Sequence, residues 1–148
     1  MNTIKTGILL LVMAAGSAWA AGEAGTIKTV KGSASIERAG QKLPASVGAP
    51  VQVADRIVTG ADGAVGITLR DNTMLSAGPN ATLDLNKFAF DTTTHAGTLD
   101  ASLKRGSLAV ISGKIAKASP ESVSFSTPTL TLGVRGTEFI LEAGTQGE

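Results

Sequence analysis

Apolar residues recur at every second position through most of this chain, and that spacing constrains the fold more than any other feature. Val65, Ile67 and Leu69 alternate with Gly66, Thr68 and Arg70. The same period carries Val30, Gly32, Ala34 and Ile36, then Leu83 and Leu85, then Leu99, Ala101 and Leu103. It returns at Val123 and Phe125 and at Leu130, Leu132 and Val134. A period of two turns one face of an extended strand inward, whereas a helix needs one near 3.6. Turn signals such as Ala39-Gly40, Asp62-Gly63, Asp71-Asn72, Gly78-Pro79-Asn80 and Ser112-Gly113 cut the runs at intervals of roughly 8–12 residues, the spacing of a sandwich or barrel. The pattern predicts an all-β single domain over residues 21–148, sandwich- or solenoid-like, with ten to twelve short, mainly antiparallel strands. The alternation changes phase between Ile27 and Val30 and between Leu85 and Phe88, which predicts bulges there. The predicted core is Val65, Ile67, Leu69, Leu83, Leu85, Phe125, Leu130, Leu132 and Phe139.

Composition narrows the chemistry. With no cysteine among 148 residues there is no disulfide framework, thiolate metal site or cysteine nucleophile. One histidine excludes a multi-histidine metal site within the chain. Residues 1–20 begin with Lys5 as the only charge, continue through the apolar run Ile8–Ala15 and end in Ala18-Trp19-Ala20. That is the three-part pattern of a secretory signal peptide, and the run is too short to span a bilayer. Cleavage after Ala20 would remove one of 13 basic residues and leave 12 against 12 acids, a neutral chain whose aromatics are Phe88, Phe90, Phe125 and Phe139. Neutral charge without Trp or Tyr argues against nucleic acid as a partner.

Few residues suggest chemistry. His95 lies in a Thr-rich turn and reads as solvated. Asp84, Asp91 and Asp100 are the carboxylates from which a catalytic pair would be drawn, but strand spacing alone does not bring them together. Asn80-Ala81-Thr82 fits the N-glycosylation pattern, a short match that chance explains. Lys104, Arg105, Lys114 and Lys117 fall within residues 101–120, which hold no acid; they read either as a solvated hairpin face or as a docking patch for an acidic partner. Gly133-Val134-Arg135-Gly136-Thr137 reads as a structural turn rather than an anion nest. No catalytic residue, cofactor or metal is expected.

The order of these signals resembles the FecR-domain family. The matching stretches are V-K-G-S-A-S-I-E-R-A-G at Val30–Gly40, V-G-A-P-V-Q-V-A-D-R-I-V-T-G at Val47–Gly60, A-V-G-I-T-L-R-D-N-T-M-L at Ala64–Leu75, and G-P-N-A-T-L-D-L at Gly78–Leu85. R-G-S-L-A-V-I-S-G-K-I at Arg105–Ile115 follows. The most specific is S-T-P-T-L-T-L-G-V-R-G-T-E-F at Ser126–Phe139, in which Thr127, Pro128, Arg135, Gly136, Thr137 and Phe139 carry the motif. Ala54-Asp55 stands where the family usually has Gly-Asp, and Asp71-Asn72 where it usually has Asp-Gly.

The resemblance implies an extracytoplasmic all-β domain, as in the sigma-factor regulators of Gram-negative iron uptake, whose periplasmic region receives a signal from an outer-membrane transporter. This sequence shows the export signal in place of a cytoplasmic segment and membrane helix. The expected function is therefore a periplasmic or secreted interaction module with a protein partner in the envelope. A structural or polysaccharide-associated envelope protein is the second reading. The apolar run Phe139-Ile140-Leu141 reads as an edge strand: either it pairs with a second copy of the chain or with a receptor segment, or the tail after Leu141 folds back over it or Glu138 and Glu142 discourage pairing.

Overall fold

The computed structural model describes residues 23–133 and 138–144. Twelve strands form one continuous sheet: β1 Glu23–Lys31, β2 Ala34–Arg38, β3 Gln41–Pro44, β4 Pro50–Gln52, β5 Arg56–Thr59, β6 Ala64–Leu69, β7 Met74–Ala77, β8 Thr82–Phe90, β9 Gly97–Ile111, β10 Val123–Thr127, β11 Leu130–Gly133 and β12 Glu138–Ala143. A short helix, α1 Lys114–Ala118, and a 3-10 turn at Pro120–Ser122 join β9 to β10. The sheet curls onto itself into two halves. Half I runs β4-β1-β6-β7-β9-β12, and half II runs β3-β2-β5-β8-β9-β10-β11. β9 belongs to both: its first part pairs with β8 and β10, and the part after Gly106 pairs with β7 and β12. The β9–β10 ladder is parallel and the other ladders are antiparallel.

The alternating pattern works as the sequence predicts. In β6, Val65, Ile67 and Leu69 are buried while Ala64, Gly66 and Thr68 are half-buried on the other face. Each such aliphatic side chain contributes about 1.5–3 kcal/mol on full burial. The core between the halves is mostly Ile, Leu and Val, with Phe125 as its largest side chain. Phe139 of half I meets Phe125 of half II edge-on across that core, ring centroids 5.3 Å apart. The predicted phase changes are bulges: Lys28 is the extra residue of β1 against β6, and Asn86 that of β8 against β9.

Three expectations are corrected. The alternation from Val30 to Ile36 is not one strand, because Gly32, at φ +57°, and Ser33 carry the chain from half I to half II. Leu130 is 52% exposed rather than buried. Its parity is right, since Leu132 two residues on packs against the core. However, β11 is the outermost strand of half II, with β10 as its one partner among the described residues. Phe139 is half-buried for a related reason, being on the outermost strand of half I. Phe139→Ala should therefore cost about 2 kcal/mol, below the ~3–5 kcal/mol of a fully buried Phe. Thr92→Ala, at an exposed turn residue, should stay within about 0.5 kcal/mol. Urea denaturation of the two variants checks both values.

Four of the corners where the chain changes halves stack into a seam. The Ser33 carbonyl accepts the Gly60 N–H at 2.9 Å, and the Gly60 carbonyl accepts the Asn80 N–H at 3.0 Å. The Ser107 carbonyl then accepts the Gly78 N–H at 3.0 Å. Thr59 ties the middle of the row, its hydroxyl donating to the Gly78 carbonyl at 2.6 Å and accepting the Ala81 N–H at 2.8 Å. At the last corner Gly106, at φ +84°, lies so close to Ala81 that a Cβ on it would sit 2.6 Å from the Ala81 Cα.

Both departures from the FecR pattern fall on left-handed backbone. Ala54 has φ +73° and Asn72 has φ +70°. Asn tolerates that region because its short amide bonds locally, whereas Ala pays about 1–2 kcal/mol there. Ala54→Gly should raise stability by about 1 kcal/mol, after allowing for the greater freedom of Gly in the unfolded chain. A rise in the urea midpoint at unchanged slope would show it.

Candidate interaction surface

The acidic residues adjacent to those two positions are structural. Asp55 has a fully buried side chain. Its carboxylate accepts two bonds from the Arg38 guanidinium, at 2.8 and 2.7 Å, and one from the Gln52 N–H at 2.8 Å. The hydrogen bonds to Asp55 raise the Arg38 pKa, against a smaller opposing effect of burial. Asp71, also buried, accepts the Thr73 N–H and hydroxyl at 3.0 and 2.7 Å and the Ile115 N–H at 3.3 Å. Its carbonyl accepts the Lys114 N–H at 2.8 Å. The carboxylate thus seats α1, whose Ile115 is buried against the start of β9.

Each of the other candidate carboxylates has its own hydrogen-bond partners. Asp84 is bound bidentately by Arg56 at 2.7 and 3.0 Å. Asp100 accepts from the Asn86 amide at 3.2 Å. Asp91 lies at the far end of β8, where its carboxylate accepts the Thr93 and Thr94 N–H groups at 2.7 and 3.1 Å. Those backbone bonds, Thr94 first, hold its pKa below the ordinary carboxylate value. His95 closes that turn at φ +62° and is exposed, with its ring stacked 6.0 Å from Phe90. Asn80 is an exposed corner residue.

The basic stretch divides in two and is not a hairpin face. Lys104 is the bulged residue of β9 opposite β8, and Arg105 stands across from Thr82. Lys114 and Lys117 are on α1 and line a shallow pocket with His95 and Ala118, to which Lys104 and Arg105 contribute nothing. In the FecR-like ending, Pro128 and Thr129 make the two-residue turn between β10 and β11, and Thr127 faces Leu130. Arg135, Gly136 and Thr137 lie outside the described residues, as does the predicted signal peptide.

Two outer faces remain. On half II a single cross-strand row reads Lys42, Glu37, Arg56, Asp84, Ser102, Ser126 and Thr131. It runs beside a groove of about 610 Å³ that holds Glu37, Lys42, Arg56, Asp84 and Asn86. Its central charges are already matched, since Arg56 and Asp84 pair and the hydrogen bond to Asp84 raises the Arg56 pKa. Ser102 and Ser126 bond to each other at 2.8 Å.

The outer face of half I differs. Met74, Ile111 and Ile140, three of the five large exposed apolar side chains among the described residues, lie on adjacent strands β7, β9 and β12. Met74 stands opposite Ile111, and the next outward row places Ser76, Ala109 and Ile140 side by side. Met74 and Ile111 are directly opposed and touch, whereas the β12 residue opposite Ile111 is Glu138. Ile140 meets Ile111 on the diagonal, within reach of long side chains, and the three make one apolar strip. A groove of about 510 Å³ beside it is lined by Ala109, Val110, Ile111, Glu138, Phe139 and Ile140. Among the described residues no strand pairs with the outer side of β12. The sequence carries a signal for this face: Val110-Ile111 and Phe139-Ile140-Leu141 are unbroken apolar runs, and an unbroken run in a strand must turn one apolar side chain outward.

No helix among the described residues is long and apolar enough to cross a membrane. No curated protein and no solved structure matches the chain. The family model described as FecR protein matches residues 55–148, from the buried Asp55 through β5–β12 and α1. Strands β1 and β2, which precede the match, pair with β6 and β5 inside it and share its core. A match of that extent, over the same residues that position the seam, α1 and the open face of half I, places this chain in the FecR protein family.

Proposed function

We propose that the protein is an exported interaction module of the bacterial envelope that acts in cell-surface signalling and engages a protein partner through the outer face and edge of half I. The family match supports the signalling role. The observation that carries the surface is the coincidence of an open strand edge on β12 with the apolar strip of Met74, Ile111 and Ile140. An edge offers backbone N–H and C=O groups to an incoming strand, and an apolar strip beside it adds desolvation energy. Export rests on the N-terminal Lys5, Ile8–Ala15 and Ala18-Trp19-Ala20 pattern. The polar row across half II is the feature that favours the second reading, association with an envelope polysaccharide.

A photo-crosslinking residue at position 140, compared with one at position 92, tests the surface in cells. An adduct with one envelope protein from position 140 alone, in a protein whose N-terminus is Ala21, is the expected result. Equal labelling from both positions would reject the surface, and an intact Met1 in a cytoplasmic fraction would reject export. Retention on peptidoglycan without an adduct would favour the polysaccharide reading.

A further inference from the structure

We propose that the β12 edge is built for a basic partner strand and against a second copy of this chain, an inference that rests on the surface assigned above. The outward residues of β12 are Glu138, Ile140 and Glu142, all exposed. Their order is acid, apolar, acid at a spacing of two. Among the described residues neither glutamate takes part in an ion pair.

Consider first a second copy, added antiparallel to β12 by a two-fold axis through the sheet. Residues directly opposite each other then share a face. The register that brings Ile140 onto Ile140 also brings Glu138 onto Glu142, twice. Sliding the copy by two residues places Ile140 opposite a glutamate and forfeits the apolar pair. A further slide in the same direction sets Glu142 against Glu142. Like charges directly opposed across strands destabilise the pair, and edge charges are a common device against self-association.

The same spacing favours a strand of the opposite pattern. An extended segment with Lys or Arg on both sides of an apolar residue, again at a spacing of two, lays its cations on Glu138 and Glu142 and its apolar side chain on Ile140. Directly behind Ile140 the row continues through Ala109 and Ser76, while Ile111 and Met74 lie in the row of Glu138 and flank Ile140 on the diagonal. The backbone ladder supplies affinity without regard to sequence, and the three outward positions supply the choice of partner.

The test uses the full chain and two synthetic probes, Thr-Lys-Thr-Val-Thr-Lys-Thr and its counterpart with Glu in place of Lys. Hydrogen–deuterium exchange of β12 and NMR titration read binding. The basic probe should slow exchange in β12 and bind about tenfold or more tightly than the acidic one, the ratio expected when two attractive pairs replace two repulsive ones. Glu138→Lys with Glu142→Lys leaves the buried face of β12 intact and should reverse that preference. Protection by both probes alike, or by neither, overturns the inference. So does a concentration-dependent dimer with β12 protected in the absence of probe, which would assign the edge to a second copy. A position-140 adduct with a partner whose contacting strand is acidic would leave the surface standing and reject the basic partner. Adducts arising only from other positions would reject the surface itself.

Discussion

Arg38→Met should destabilise the protein by about 3–5 kcal/mol, because it leaves the Asp55 carboxylate buried without its counter-charge. Asp55 has no exposed side-chain surface, and after the substitution its one remaining donor among the described residues is the Gln52 N–H. The comparison that makes the number informative is Arg56→Met. Arg56 and Asp84 form an ion pair of the same length, 2.7 Å, but their side chains are 46% and 18% exposed. Solvent screens that pair, and its loss should cost about 0–1 kcal/mol. Adding Asp55→Asn to Arg38→Met removes the stranded charge and should recover part of the loss. Urea denaturation of the three variants and the parent reads the differences. Equal costs for the two arginines would show that burial of Asp55 does not govern the energy.

Gly106→Ala should cost about 2–5 kcal/mol through two separable effects. A non-glycine residue at φ +84° pays about 1–2 kcal/mol in backbone strain. The added methyl also meets the Ala81 Cα at 2.6 Å and its Cβ at 2.8 Å. Ala81 cannot give way easily, since it is buried and its N–H and C=O are both bonded to Thr59. Overpacking of that kind adds about 1–3 kcal/mol. Gly48→Ala is the control: its φ is +89°, and nothing lies within 4 Å of the added Cβ. It should show the backbone cost alone. A Gly106 variant no worse than the Gly48 variant would mean that the seam is loose enough to absorb a methyl group.

The strands and their inward faces were legible in the sequence because a period of two is local information. Val65, Ile67 and Leu69 need only their neighbours to declare a face, and the phase slips at Lys28 and Asn86 mark the bulges in the same local way. What escaped was whatever depends on where a strand sits in the sheet. Leu130 and Phe139 have the right parity, but they lie on outermost strands that the opposite half does not cover fully. Gly32 fits the alternating pattern of its neighbours, yet it turns the chain into the other half. The basic stretch looked continuous because its charges are near in sequence, while α1 carries two of them away from the other two. The apolar strip on half I combines residues from positions 74 to 140, and only the register of three strands brings them together. Asp55 and Asp71 were legible as motif letters, but their burial was not, because it is set by partners as distant in sequence as Arg38 and Ile115.

The seam also governs how the chain reaches its fold. Its corners lie near residues 33, 60, 80 and 106, and each is held by a corner that arrives from a separate part of the sequence. No corner is complete until the loops between them have closed, so the entropic cost of closure precedes most of the reward. Folding should accordingly fall in the millisecond-to-second range of all-β topologies rather than the microsecond range of helical bundles. Until the part of β9 after Gly106 is in place, β12 has no strand to pair with. Glu138 and Glu142 then act before any partner is met, as like charges that keep unfinished chains from pairing with one another.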